Sequence, residues 1–162
     1  MKSTNEGANV KKLLLRVILA IVAATAAVAA AAAPDPVIGT WQLNVSKSTF
    51  SPGPAPKSQV RTYSQSGQSI TLVIKTVGAD GKGMTQQTTY QLDGKDYPWT
   101  GNPNFDSISG GQVDSNTANF TSKKAGKAFG TTTRTVSKDG KTLTLKGTTA
   151  KGEKFEAVFD KQ

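Results

Sequence analysis

The sequence contains no cysteine and no histidine. The first absence excludes disulfides, thiol nucleophiles and attachment through the cysteine that lipoprotein processing requires. The second removes any Ser-His-Asp triad and, with the first, the usual ligands of zinc and copper. No metal and no cofactor is expected. Acids are also scarce: eleven Asp and Glu face twenty Lys and Arg, for a net charge of +9. Past residue 33 most acids sit in turns, among them Asp80, Asp93, Asp114 and Asp139. Glu156 and Asp160 share a strand face but stand about 13 Å apart at roughly 3.3 Å per residue, too far for the paired carboxylates of glycoside hydrolysis. Asp93 with Asp96 is the one acid pair worth testing. The composition points away from an enzyme.

What is present begins with a leader. Lys2, Lys11, Lys12 and Arg16 precede an uncharged stretch from Val17 to Ala33. This is the order of a secretory signal: basic region, apolar region from Leu13 to Ala24, then small residues. Cleavage is expected between Ala29 and Ala33, ahead of Pro34. The alternative is an uncleaved anchor, since Leu13 to Ala33 has about the 20 residues needed to span a bilayer. Its Ala-rich second half is weakly apolar, which favours cleavage. The expectation is a signal peptide over residues 1–33, one domain over 34–162, and a soluble periplasmic or secreted product. Removing four basic residues and Glu6 with the leader lowers the charge to +6. Export takes that charge away from nucleic acid, leaving solubility as its simplest role.

In residues 34–162 no segment shows the i, i+3, i+4 apolar spacing of a helix, whereas alternation of period two recurs. Ile70, Leu72 and Ile74 share one face of a run, as do Leu143 with Leu145, and Phe155 with Ala157 and Phe159. Further strands are expected at Gly39–Ser46, Gln59–Gln65, Met84–Leu92, Ser107–Ser109, Gly111–Ser115, Thr117–Lys123 and Lys127–Val136. Asp80-Gly81, Asp93-Gly94 and Asp139-Gly140 are tight-turn dipeptides. The proline-rich run from Ser51 to Pro56 reads as a loop. Short strands, sequential turns and no helix predict an all-β fold, a single antiparallel up-and-down barrel of about eight to ten strands.

Gly39-Thr40-Trp41 resembles the G-x-W signature that opens lipocalins and their calycin relatives. Arg134, within Thr133–Thr144, falls where that superfamily has a late-strand Arg packing on the Trp, and the segment is similar to the penultimate hairpin of fatty-acid-binding proteins. Asp93-Gly94-Lys95-Asp96-Tyr97-Pro98 resembles a segment of small exported bacterial lipocalin-like proteins of unassigned role. The resemblance implies barrel closure by Gly39, Trp41 and Arg134, and a small apolar or amphipathic ligand in the barrel. The last strand lacks the Arg-x-Tyr pair that takes a fatty-acid carboxylate, so a fatty acid is not implied.

Candidate sites follow, each with an alternative. An inward Arg134 either stacks on Trp41 or forks a ligand carboxylate; Arg61 has no evident partner and reads as solvated. Tyr97, Trp99 and Phe105 fall in a Pro/Gly/Asn-rich stretch read as a loop at the barrel mouth, contacting ligand or plugging the end. Gln86 and Tyr90 lie on the face Met84-Gln86-Thr88-Tyr90-Leu92, which with Phe129-Thr131-Thr133-Thr135 would give a partly polar interior; a register slip of one residue reverses either face. Lys123, Lys124 and Lys127 around Gly126 form a basic turn, either solvated or in weak contact with anionic envelope surfaces. The leading expectation is an exported, monomeric small-molecule binder; the alternative is a closed barrel that binds envelope polymer or protein on its outside.

Overall fold

The computed structural model describes residues 34–51 and 53–162. The expected signal peptide lies outside the described residues. Eleven strands run in chain order: β1 (Gly39–Leu43), β2 (Thr49–Phe50), β3 (Ser58–Ser66), β4 (Ser69–Val77), β5 (Gly83–Tyr90), β6 (Asp93–Thr100), β7 (Ser107–Gln112), β8 (Thr117–Lys124), β9 (Lys127–Val136), β10 (Thr142–Thr149) and β11 (Lys154–Lys161). Each of the ten long strands pairs antiparallel with its neighbour, and β1 pairs with both β3 and β11. The ring therefore closes as an up-and-down barrel without free edges. Two-residue β2 pairs with β11 through Phe155↔Phe50 and Glu156↔Thr49, continuing the edge that β1 occupies at residues 159–161.

Alternation along the strands sets inside from outside. Ile70, Leu72 and Ile74 are at most 3% exposed, and Leu143, Leu145, Ala157 and Phe159 join them in the core. Val158 breaks the alternation and is buried as well. The reason is local: the segment from Asn44 to Phe50 covers that part of β11, with Asn44 N–H donating to the Val158 carbonyl and Ser48 Oγ accepting from Val158 N–H.

Three expectations about strands need correction. Ser107–Ser109 and the start of the expected Gly111–Ser115 run form one strand, β7, which ends at Gln112. Asp93-Gly94 does not separate β5 from β6 but opens β6, where the register slips between Asp93 and Asp96. The stretch around Tyr97 and Trp99 is strand rather than mouth loop; only residues 101–106 form the loop before β7. Sequence patterning failed there because Pro98 breaks strand propensity. Its effect is visible in the barrel wall. Trp99 N–H points to β7, bonding the Asp106 carbonyl, so Pro98 turns its missing N–H toward β5. The β5–β6 pairing is confined to Gln87↔Thr100 and Thr88↔Trp99. Thr88 Oγ1 bridges the seam by donating to the Pro98 carbonyl at 2.8 Å.

A second irregularity decides a face. Between β8 and β9 the partners jump from Ser122↔Gly130 to Lys123↔Ala128, leaving Phe129 as the extra residue of a bulge. Past it, Arg134 and Val136 are buried while Thr131 and Thr133 are exposed. The threonine row is outer sheet surface, contrary to a polar interior on that strand. Thr133 spends its hydroxyl on Asn119 Oδ1 at 2.8 Å.

Candidate functional site

The barrel holds a cavity of about 230 Å³, walled chiefly by aliphatic and aromatic side chains from β3 to β11. Trp99, Phe105, Gln86, Tyr90 and Arg134 line it, together with Arg61, Asn102, Phe120 and Phe129. Tyr97 does not line it; it is half-buried against the core edge, where desolvation and then the Asp93 carboxylate raise the pKa of its phenol. Met84 is exposed, so the polar face of β5 reduces to Gln86, Thr88 and Tyr90.

At one pole of the cavity the loop 101–106 folds over β5. Gly101 has φ of +79°, and a Cβ there would come within 2.1 Å of the Thr85 carbonyl oxygen, so the close approach requires glycine. This brings Asn102 Nδ2 to Gln86 Oε1 at 2.8 Å, beside the Trp99 indole N–H donating to the same oxygen at 3.0 Å. Phe105 packs edge-on against Trp99, centroids 5.0 Å apart, and reaches Phe129 at 6.0 Å. These aromatic faces converge as an apolar wall around one fixed amide.

At the other pole is a buried ionic cluster. Arg134 is 2% exposed; its Nη2 meets Asp35 Oδ2 at 2.6 Å, its Nη1 donates to Tyr90 Oη at 3.1 Å, and its guanidinium lies over Phe120 at 5.5 Å. Burial works against its charge, but Tyr90, Asp35 and Tyr63 outweigh that and hold its pKa above the ordinary arginine value. Burial also pushes the Tyr90 phenol far above its ordinary range. The Arg134 Nε–H is buried without a partner among the described residues. Asp35 is anchored in turn: its N–H donates to Gln65 Oε1 at 3.0 Å, and its Oδ1 accepts from Val37 N–H at 2.9 Å.

The expected Arg134–Trp41 stack is therefore corrected. The cation over Trp41 is Lys161, 5.1 Å from the ring centroid, directly across the β1–β11 seam. Trp41 is fully buried, with its indole N–H on the Val37 carbonyl at 2.7 Å. A Cβ on Gly39 would meet Lys161 Cε at 3.0 Å, so glycine makes room for that side chain. Arg61 is not simply solvated: Nε donates to Gln59 Oε1 at 2.9 Å and the guanidinium lies over Phe159 at 5.2 Å. The basic turn is partly neutralised, since Lys123 holds Asp96 at 2.6 Å and Lys124 approaches Asp106 at 3.7 Å.

That pairing also answers the acid pair. Lys123 draws the Asp96 carboxyl below its usual range, and the Lys95 backbone N–H does the same for Asp93, so both stay ionised near neutrality. Neither is tuned to carry a proton. Among the described residues no cluster of three metal-ligating side chains occurs.

Asp35 and Asn102 are the site residues that patterning missed. Asp35 lies between two prolines outside any strand, yet a buried arginine demands a carboxylate somewhere. That demand was the available signal.

No family model and no curated protein matches the sequence. Solved structures do. The fluorescent protein UnaG superposes with a TM-score of 0.57 at 16% identity, over 78% of this chain and 97% of that one. The Schistosoma mansoni fatty acid binding protein in complex with arachidonic acid gives 0.57 at 12% identity, over 79% and 97%. Likeness at this identity shows the fold alone, and it agrees with the closed ten-strand antiparallel up-and-down barrel described above.

Proposed function

We propose that the protein is an exported carrier of the small lipocalin-like kind, holding one small, partly apolar molecule inside the barrel. The observation that carries this reading is the cavity itself: an aromatic wall from Trp99, Phe105 and Phe129 around the fixed Gln86 amide. A core built only for stability has little reason to leave such space, because interiors pack to near-crystal density. The size limits the cargo. About 230 Å³ is the share of roughly eight liquid waters at about 30 Å³ each, below the range of about 300–1,000 Å³ for drug-sized ligands. One ring or a short chain fits without rearrangement. The complex of the Schistosoma protein with arachidonic acid supports small-molecule binding on this architecture. Export rests on the basic-then-apolar leader before Pro34.

Native mass spectrometry of protein purified from its natural source tests the reading. A bound mass of small-molecule size, released on unfolding, is expected. An empty barrel that also takes up no apolar dye refutes it.

A further inference from the structure

Two polar groups facing the interior have their bonding capacity settled by the fold. Gln86 Oε1 accepts from Trp99 Nε1 and Asn102 Nδ2. An indole N–H only donates, so the oxygen of the amide must lie on that side. Asn102 cannot be turned around either, because its Oδ1 accepts from Asn104 N–H at 2.8 Å. The Gln86 Nε2 amide is left with no partner among the described residues. It also keeps some exposure to a water-sized molecule, since Arg134 Nε is the one sealed, partnerless side-chain atom among the described residues. The one polar atom of these two side chains with no partner among the described residues, Gln86 Nε2, is thus a donor. Gln86 and Tyr90, which bonds Arg134, stand four positions apart along β5, placing the two poles about 13 Å apart.

We propose that the cavity selects an uncharged ligand with an accepting oxygen on a flat apolar body, and that Asp35 sets this selectivity by neutralising Arg134. The inference rests on the carrier reading and narrows it. A buried arginine alone would attract an anion. Here Asp35 takes one N–H of Nη2 at 2.6 Å and Tyr90 one of Nη1, while the remaining Nε–H is sealed from water-sized molecules, so neither edge of the fork is fully open to a second carboxylate. An incoming carboxylate would have to share the site with Asp35, and like charges at close range in a poorly solvated interior repel. Arg61, the other lining cation, is only half-buried, held through Nε by Gln59 and laid over Phe159, so water screens its charge. A neutral carbonyl meets none of these obstacles. Its oxygen takes the Gln86 Nε2 proton while its ring lies against Trp99 and Phe105. Asp35 acts as a positioning residue, through Arg134 and not on the ligand.

Three probes of matched size separate the terms: acetophenone, benzoate and ethylbenzene, each titrated calorimetrically into the purified protein at neutral pH. Acetophenone is expected to bind best, about tenfold tighter than ethylbenzene for one buried hydrogen bond, with benzoate weaker still. Gln86→Leu removes the acetophenone advantage and leaves ethylbenzene unchanged. Asp35→Asn uncovers Arg134, and benzoate gains at least about tenfold. Benzoate binding tightest to the unaltered protein overturns the selectivity while the carrier reading stands. Equal binding of acetophenone and ethylbenzene overturns the role of Gln86. Failure of all three probes to bind overturns both inference and carrier reading for ligands of this size. The ranking in the unaltered protein is decisive by itself should Asp35→Asn not fold.

Discussion

Asp35→Ala is the sharpest test of how the barrel is held together. The substitution leaves the Arg134 guanidinium, 2% exposed, without the carboxylate that stands 2.6 Å away. At an effective dielectric of about 20, charges about 4 Å apart attract by about 4 kcal/mol. Removing one member of a buried pair costs about 3–5 kcal/mol, because the survivor is left desolvated. Asp35 lies on a segment ahead of β1 that can shift to admit water, so the lower end, about 3 kcal/mol, is expected. For a domain of this length that lowers Tm by about 10–15 °C. Urea denaturation gives the number directly: the midpoint falls while the slope is unchanged. Adding Arg134→Met should restore most of the loss, since an apolar side chain of similar volume needs no counter-ion. A loss below about 1 kcal/mol would mean the pair behaves as an exposed one, and the reasoning about Arg134 would be wrong.

Trp41 and Trp99 are the only tryptophans. Ligand is expected to alter fluorescence in Trp41→Phe and to leave it unchanged in Trp99→Phe; the reverse would move the site away from the aromatic wall. Gly101→Ala, at φ +79° with the Thr85 carbonyl in the way, should cost about 1–3 kcal/mol and weaken ligand binding by displacing Asn102, read by urea melts and titration. The stability profile should fall at both extremes of pH. Tyr90 is raised, so its contribution is intact below the unfolded phenol value near 10 and is lost as pH climbs above it; phenolate absorbance from Tyr90 should appear only with unfolding. Asp139 is depressed by the Ser137 hydroxyl and then the Lys141 N–H, so its contribution holds above about 3.9 and disappears as pH drops through the lower folded value; Asp139→Asn should flatten that limb of a thermal-melt series.

Much of the barrel was legible in the residues because period-two alternation survives wherever one face meets the core. Ile70-Leu72-Ile74 and Leu143-Leu145 declared their inward faces in advance, and both are buried as alternation requires. Alternation lost its meaning where the ladder slips. Phe129 reads in phase with Thr131 and Thr133, yet a bulge separates them: Phe129 is half-buried in the cavity wall, whereas both threonines are exposed and only Thr131 reaches the cavity's edge. Pro98 concealed β6 for a related reason: propensity treats proline as a strand breaker, whereas here its absent N–H faces a seam that forms almost no ladder.

The residues by themselves determined the fold class, the lack of thiol and imidazole chemistry, and the inward faces of the regular strands. Those properties follow from composition and from a repeat of two, which are local. The cavity, the partner of Arg134 and the orientation of Gln86 were decided only in three dimensions. Asp35 and Arg134 are far apart in the chain, as are Gln86 and Asn102, and ring closure through β1 and β11 sets the space between them. Which polar atom is satisfied and which is left to meet a ligand depends on such distant pairs, and no local pattern carries that information.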